Sequence, residues 1–165
     1  MKKVSLDKLN NEIKKFLEIM QLYDKSAYHI FNNLSLTGAR FNDIMSINNW
    51  YIKDKDFIIL KPNKGNNERV FKSKELDSIF LSWIEKKVDI KRLRSYSTCN
   101  RYFIHLFPIN PIIQKKKRLT THIFRHVYAK NLKKNDLSDE QIQKKLGEKE
   151  LKSAQNYIYS TLYTK

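Results

Sequence analysis

The sequence predicts an α+β protein that is mainly α-helical, with a small three-stranded antiparallel sheet on one edge. Apolar residues recur at spacings of three and four between Leu6 and Met20, which is the period of an amphipathic helix. Between Trp50 and Phe71 this period gives way to short apolar runs separated by turn residues, a pattern typical of hairpins. Helical spacing returns after Phe71, so the remainder of the chain is predicted to be helical.

Caps and breakers set the limits of the predicted elements. Ser5 is a suitable N-cap for the first helix, and Gly38 suits the left-handed residue that ends the second. Pro108 and Pro111 interrupt the chain between two later helices. The predicted helices span residues 6–20, 26–35, 40–46, 74–87, 97–107, 120–133, 138–146 and 150–162. The predicted strands span residues 51–52, 57–60 and 69–71.

The charge of the chain points to a polyanionic partner. Lysine and arginine total 33 against 17 acidic residues, a formal net charge of +16. Such an excess favours nucleic acid as that partner. An anionic membrane is the weaker alternative, because the basic residues do not gather on one amphipathic helix. Part of the lysine content also fits the base composition of an AT-rich coding sequence, since Asn and Ile are abundant too.

Other protein classes are disfavoured by what the sequence lacks. No run approaches the roughly 20 apolar residues of a membrane span, and the N-terminus has no apolar signal-peptide core. Cys99 is the only cysteine, so no internal disulfide is possible. We expect one intracellular domain over residues 1–165, cytoplasmic or nucleoid-associated, with no cofactor and no metal.

Residues 118–131, RLTTHIFRHVYAKN, form the most informative stretch. In a helix, residues three and four apart share a face, so His122, Arg125 and His126 are predicted to form a cationic ridge. The guanidinium of Arg125 offers five fixed donors and keeps its charge. The ridge is therefore a candidate site for an anion.

Further pieces accompany this stretch in a fixed order. They are Arg40 after the Thr37-Gly38 turn, Lys64 before Gly65 in a hairpin, Leu146-Gly147 at a helix end, and Tyr157 on the next helix. The ordered set resembles the catalytic domain of the tyrosine recombinases, the phage-integrase family, which shares its chemistry with type IB topoisomerases. The resemblance covers nearly the whole chain.

The resemblance implies a role for each matching residue. Tyr157 would attack a DNA phosphodiester and form a 3′-phosphotyrosyl link. Arg40 and Arg125 would clamp the non-bridging oxygens, where negative charge develops. Lys64 would protonate the leaving 5′-oxygen. His122 would donate to the phosphate or help to deprotonate the tyrosine.

Two further residues are expected to play supporting roles. Asp43 stands where the family carries an acidic residue that supports the arginine, and His126 is expected to be a buried, hydrogen-bonded packing residue. Tyr159 and Tyr163 are rival nucleophiles. Helical geometry and the family spacing after Leu146-Gly147 favour Tyr157.

Two of these residues also have ordinary interpretations. Taken alone, Arg40 is the i+3 ion-pair partner of Asp43 on a surface helix. Lys64 taken alone is a solvated turn lysine, and Lys61 is a rival for its role. Only the complete set of pieces favours the catalytic interpretation.

Glu148 departs from the family pattern, which usually has His after Leu-Gly. An ionised carboxylate repels a phosphate and cannot donate to it. Glu148 could turn away, or Lys149 could supply the donor in its place. Otherwise the protein is a slow or impaired catalyst. Glu148 is therefore a doubtful member of the catalytic set.

The remaining expectations concern assembly and double-stranded DNA, the partner that the resemblance implies. Family members usually carry an N-terminal clamp domain, which we expect to be absent from residues 1–165, and the resemblance implies a possible tetramer on DNA. Thr120 and Thr121 precede the helix, where free N–H groups suit a phosphate. The candidate DNA contacts are Lys115, Lys116, Lys117, Arg118, Thr120, Thr121, Arg69 and Lys72.

Three functions remain open from the sequence. The first is site-specific recombination or integration by strand cleavage and rejoining. The second is DNA binding by a protein that has lost catalysis, with Glu148 as its first sign. The third is a type IB topoisomerase or telomere-resolving enzyme. The sequence does not identify the target DNA.

Overall fold

A computed structural model describes residues 2–63, 65–109, 112–113, 117–118 and 120–164, with residues 117–118 described for the backbone alone. The helices are α1 (Leu6–Tyr23), α2 (Lys25–Thr37), α3 (Phe41–Met45), α4 (Ser78–Lys86), α5 (Ile90–Leu93), α6 (Tyr96–Leu106), α7 (Ile123–Lys134), α8 (Asp139–Leu146) and α9 (Leu151–Tyr159). The strands are β1 (Lys2–Lys3), β2 (Trp50–Ile52), β3 (Phe57–Leu60), β4 (Arg69–Lys72), β5 (Ile112–Ile113), β6 (Lys117–Arg118) and β7 (Leu162–Thr164).

The predicted three-stranded sheet is confirmed. Strands β2, β3 and β4 pair antiparallel in that order, with Trp50 opposite Leu60 and Ile58 opposite Phe71. Alternate residues of a strand face the same side, so these four side chains lie on one face of the sheet, and all four are buried. The sheet therefore has one apolar face against the helices.

A second sheet was not predicted, and the prediction of an entirely helical remainder is wrong there. Its strands are ordered β1–β7–β5–β6. The last helix ends at Tyr159 rather than running to residue 162. Leu162 instead lies in β7, 2% exposed, and pairs with Ile113 of β5. Leu162 is therefore buried as part of a strand, not as part of the last helix as predicted.

Most helices lie within a few residues of their predictions. The Ser5 hydroxyl accepts from the Lys8 amide at 3.1 Å and caps α1. Helix α4 begins at Ser78 rather than 74, because Ser73–Glu75 form a 3₁₀ turn, and the short α5 was not predicted. Helix α7 begins at Ile123 rather than 120. No helix in the described ranges has both the length and the apolar character needed to cross a membrane.

Helix α7 is shared by two buried clusters. On one side Phe124 contacts the rings of Phe16, Phe31 and Phe103 from α1, α2 and α6, at centroid distances of 6.3, 5.9 and 6.0 Å. On the other side Ala129 packs in a smaller cluster with residues of α8 and α9. This shared position fixes the polar residues at the start of α7 relative to the rest of the fold.

Candidate active site

Arg125 is the buried centre of the site. Its side chain projects from α7 and the residue is 1% exposed. One terminal nitrogen donates to the Gly38 carbonyl at 2.8 Å, and the other to the Leu146 carbonyl and the Glu148 carboxylate, both at 2.8 Å. A buried charge is stable only when it has such partners. Arg125 thus joins the ends of α2 and α8 to the start of α7.

Gly38 allows α2 to end this close to α7. Its φ of 62° is left-handed, and a Cβ added there would lie 2.4 Å from Cδ1 of Tyr128. Only glycine avoids both the strain and the overlap. The close approach brings the Gly38 carbonyl to Arg125 and places Arg40 beside the same site.

Glu148 links the two arginines of the predicted set. One oxygen of its carboxylate, Oε1, accepts from Arg40 at 2.6 Å and from Arg125 at 2.8 Å. Glu148 is 6% exposed. With the Asn66 amide oxygen turned towards Arg40, both terminal nitrogens of Arg40 donate to it. The alternative in which Glu148 turns away is wrong, because its carboxylate faces both guanidinium groups.

Asp43 holds the hairpin rather than Arg40. Its carboxylate accepts from the Asn63 amide at 3.0 Å, and its carbonyl accepts from the Trp50 indole at 2.8 Å. The ion-pair partner of Arg40 in the described chain is Glu148, so the ordinary interpretation of Arg40 as the partner of Asp43 is wrong. Asp43 fixes the chain one residue before position 64.

The hairpin tip was predicted to carry the general acid. Lys64 lies outside the residues that the structure describes, so its role stays a prediction. Lys61 pairs with Glu68 at 3.7 Å on the exposed side of the hairpin. The Lys149 ammonium group lies 3.7 Å from the place where a Cβ on Gly65 would stand. Lys149 therefore brings a cation to the turn at Gly65.

Tyr157 is the tyrosine that the structure brings to the arginines. It is half-buried on α9, and the Arg125 guanidinium carbon lies 5.0 Å from its ring centroid. The His126 and His122 rings lie 4.8 and 6.3 Å away. Tyr159 is 58% exposed, and its hydroxyl donates to Asp139 at 2.9 Å. The rival tyrosine thus has a partner elsewhere.

His126 is neutral scaffold rather than part of a cationic ridge. It is 7% exposed, and Nδ1 lies 2.7 Å from the Ser160 hydroxyl oxygen. Burial, followed by the positive charges of Lys130, His122 and Arg125 in that order, lowers the pKa of His126 to about 3. The expectation that His126 is a buried, hydrogen-bonded residue agrees with this position. The predicted exposed ridge is wrong for Arg125, which is buried too, and of the three residues His122, at the start of α7, is exposed.

Arg69 does not occupy the DNA-facing position that was expected of it. It is 3% exposed, donates to the carbonyls of Lys145 and Thr37, and stacks over Phe71 at 4.7 Å. Burial, followed by the charge of Arg125, lowers the pKa of Arg69 to about 9. Strand alternation with the inward Phe71 was the signal that could have found this.

The other candidate DNA contacts differ in their exposure to solvent, and some lie outside the described residues. Lys72 is exposed and Thr120 half-buried, whereas Thr121 is 6% exposed. Thr120 and Thr121 line a small cleft with Arg40 and His122. Lys115 and Lys116 lie outside the described residues, and for Lys117 and Arg118 only the β6 backbone is described. Their predicted contacts remain predictions.

Solved recombinases share this architecture. XerA recombinase matches with a TM-score of 0.58 at 22% identity, over 90% of this chain and 56% of that chain. XerH site-specific recombinase bound to difH substrate before cleavage gives 0.58 at 16% identity, over 90% and 48%. Its complex with palindromic difH after cleavage gives 0.59 at 17%, over 90% and 48%. The chain has the tyrosine recombinase catalytic-domain fold.

This recombinase fold confirms the predicted fold class. The chain spans about half the length of the solved structures it matches. No protein-family model matches the sequence, and no curated protein matches it either. At identities of 16 to 22%, the likeness concerns the fold, and the roles of individual residues must be argued from the site itself.

Proposed function

We propose that the protein cleaves and rejoins DNA strands in site-specific recombination through a 3′-phosphotyrosyl intermediate. The observation that carries this proposal is the position of Tyr157, whose ring stacks on the Arg125 guanidinium at 5.0 Å while Arg125 and Arg40 share one carboxylate oxygen. A nucleophile beside two guanidinium groups is the arrangement that phosphodiester attack requires. The XerH complexes with DNA before and after cleavage support it as fold-level analogy.

The chemistry uses a side chain in place of water. The Tyr157 hydroxyl loses its proton and its oxygen attacks phosphorus, forming the phosphotyrosyl bond. The bond to the 5′-oxygen breaks, and Lys64 gives that oxygen a proton, leaving a free 5′-hydroxyl. A 5′-hydroxyl then attacks the phosphotyrosyl bond and releases the tyrosine. Arg40 and Arg125 hold the non-bridging oxygens while negative charge builds on them.

The histidines differ in what they can supply. His122 lies exposed at the start of α7 with its ring 6.3 Å from that of Tyr157, so it can donate to the phosphate or accept the tyrosine proton. The lowered pKa of His126, about 3, leaves it uncharged at neutral pH. His126 supports the Tyr157 ring and its backbone through Ser160, and we assign it a positioning role.

Covalent capture tests the proposal. The probe is a pool of nicked duplexes with randomised sequence, in which cleavage near the nick releases a short strand and traps the enzyme. We expect wild type and Tyr159→Phe to give a denaturation-resistant protein–DNA adduct and Tyr157→Phe to give none. The two substitutions remove the same hydroxyl from one helix. An adduct with Tyr157→Phe, or none with wild type, would exclude this function.

A DNA-binding protein without catalysis is the second candidate. The observation that favours it is the Glu148 carboxylate, which occupies both arginines. This candidate predicts DNA binding by wild type with no adduct from any duplex in the pool.

Exchange of strands between two differently labelled duplexes would separate a recombinase from a topoisomerase, because only a recombinase joins strands from both duplexes.

A further inference from the structure

The feature that the proposed chemistry does not use is the Glu148 carboxylate between the two phosphate-clamping arginines. Oε1 accepts from Arg40 at 2.6 Å and from Arg125 at 2.8 Å. We propose that these arginines form an anion site whose resident ligand is Glu148, and that a DNA phosphodiester binds there by displacing this carboxylate. For the DNA step this inference rests on the proposed function, whereas the anion site stands without it.

The two arginines are positioned without help from Glu148. Arg125 donates to the carbonyls of Gly38 and Leu146, and Arg40 has the Asn66 amide oxygen. Each guanidinium has five donors, so these bonds fix the groups and leave donors for an anion. Carboxylate and phosphate oxygens accept from guanidinium in the same way. Glu148 therefore takes the place that a phosphate oxygen would fill.

The backbone around Glu148 allows its side chain to leave the site. Glu148 lies in the turn between α8 and α9, after Gly147 at the end of α8. Its backbone amide donates to the Gln143 carbonyl at 3.1 Å, and its carbonyl accepts from the side-chain amide of Gln143 at 3.3 Å. These bonds hold the turn while the side chain rotates, so displacement requires no helix to unwind.

Because both are negatively charged, the Glu148 carboxylate and a phosphodiester cannot occupy the arginine site together. A carboxylate and a phosphodiester are both anions, and two like charges a few ångströms apart in a site shielded from water repel strongly. A phosphodiester that enters beside Arg125 must therefore expel the carboxylate. The consequence is an active site that is occupied until DNA competes for it.

Binding of dimethyl phosphate, a small phosphodiester, measures this competition without any cleavage. The readout is the NMR signal of the Arg125 Nε–H group, which has no partner in the described structure. Glu148→Gln keeps an oxygen acceptor and removes the charge. We expect it to bind the probe at least about tenfold more tightly than wild type, the equivalent of one charged hydrogen bond. Arg40→Met in the Glu148→Gln background should abolish the gain.

Glu150→Gln is the matched control, because Glu150 is exposed and makes no side-chain cap bond. We expect it to bind the probe as wild type does. Equal affinities for wild type and Glu148→Gln, or equal gains from both substitutions, would overturn the proposal. So would tighter binding that leaves the Arg125 signal unchanged, since the probe would then bind elsewhere.

A measurement on wild type protects the test from a misfolded variant. The ¹³C signal of the Glu148 carboxyl group should shift as saturating dimethyl phosphate releases it from the arginines. A signal that stays unchanged while the probe binds at Arg125 would show that the carboxylate remains, which contradicts displacement. Both readouts are independent of adduct formation, so failure of the proposed function and failure of this inference are distinguishable.

Discussion

Single residues decide whether a charged group in this site is a ligand or scaffold. Arg125 and Arg69 both looked like surface cations in the sequence, whereas His126 was expected to be buried, and each of the three is less than 10% exposed. Arg125 compensates its burial with carbonyl and carboxylate acceptors. His126 instead gives up its charge, because burial and nearby cations lower its pKa to about 3.

The lowered pKa of His126 predicts acid sensitivity. The unfolded chain binds a proton at His126 below the reference pKa of about 6.5, whereas the folded protein does not until about pH 3. Stability from neutral His126 is thus complete above pH 6.5 and lost as the pH falls towards 3. We expect the free energy of unfolding to drop by about 2 kcal/mol between pH 7 and pH 5.

Urea unfolding across this pH range measures the effect, with His126→Gln as the comparison. The variant cannot take up the proton, so its profile should be flatter by the same amount. His105→Gln, at the C-terminal end of α6, serves as the control and should keep the wild-type slope. Parallel profiles for wild type and His126→Gln would refute the assignment.

At the scale of elements, the hairpin after β3 docks on the turn that carries Glu148. The Asn67 amide donates to the Gly147 carbonyl at 2.9 Å. Gly147 has a φ of 71°, and a Cβ there would lie 2.7 Å from the Asn67 carbonyl oxygen. The contact leaves no room for a side chain and sets the distance between the hairpin tip and the arginines.

Gly147→Ala should therefore move the hairpin and weaken the fold. We expect a loss of about 2 to 4 kcal/mol in the free energy of unfolding, from left-handed strain and overlap together. Gly65→Ala shares the strain, with a φ of 60°, but its Cβ would meet only Lys149 at 3.7 Å, so about 1 to 2 kcal/mol should be lost. Denaturant titration compares the two, and equal losses would show that the docking contact is loose.

The elements visible in the sequence were those whose signal is local. The hairpins of β2, β3 and β4 and the longer helices each carry their own apolar period, and they were predicted. Strands β1 and β7 are two and three residues long, and they pair Lys2 with Thr164 from opposite ends of the described chain. No local pattern can show such a pairing.

The residues of the candidate site also divide into those with a sequence signal and those that only the fold brings together. The order of motifs picked out Arg40, Arg125 and Tyr157, which the structure brings together. That Glu148 joins both arginines depends on three segments meeting in space, so only the fold could show it. Arg69 is different, because strand alternation with Phe71 was available and would have placed it inside.

For the whole molecule, the net charge of +16 predicts DNA affinity dominated by phosphate contacts. Each neutralised phosphate releases counterions, so binding to a duplex of arbitrary sequence should weaken about a thousandfold between 50 and 200 mM salt if at least six contacts form. Fluorescence anisotropy at a series of salt concentrations gives the slope. A nearly flat dependence would contradict backbone binding.

The lysines before α7 can be separated from the bulk charge. Replacing Lys115, Lys116 and Lys117 by alanine should reduce the salt slope by about one per lost phosphate contact. Replacing Lys8, Lys14 and Lys15, exposed on α1, changes the net charge equally and should leave the slope near the wild-type value. Equal reductions would mean that net charge alone, rather than this segment, governs binding.

The pairing of β1 with β7 gives the molecule a direction of mechanical weakness. Lys2 lies opposite Thr164 and Lys3 opposite Tyr163, so a force applied between residues 2 and 164 loads these hydrogen bonds one after another, as in a zipper. The helical core bears load through many contacts at once. A stretched molecule should therefore open first at this seam, which frees β1 while β7 remains paired with β5 and the arginine site is still folded.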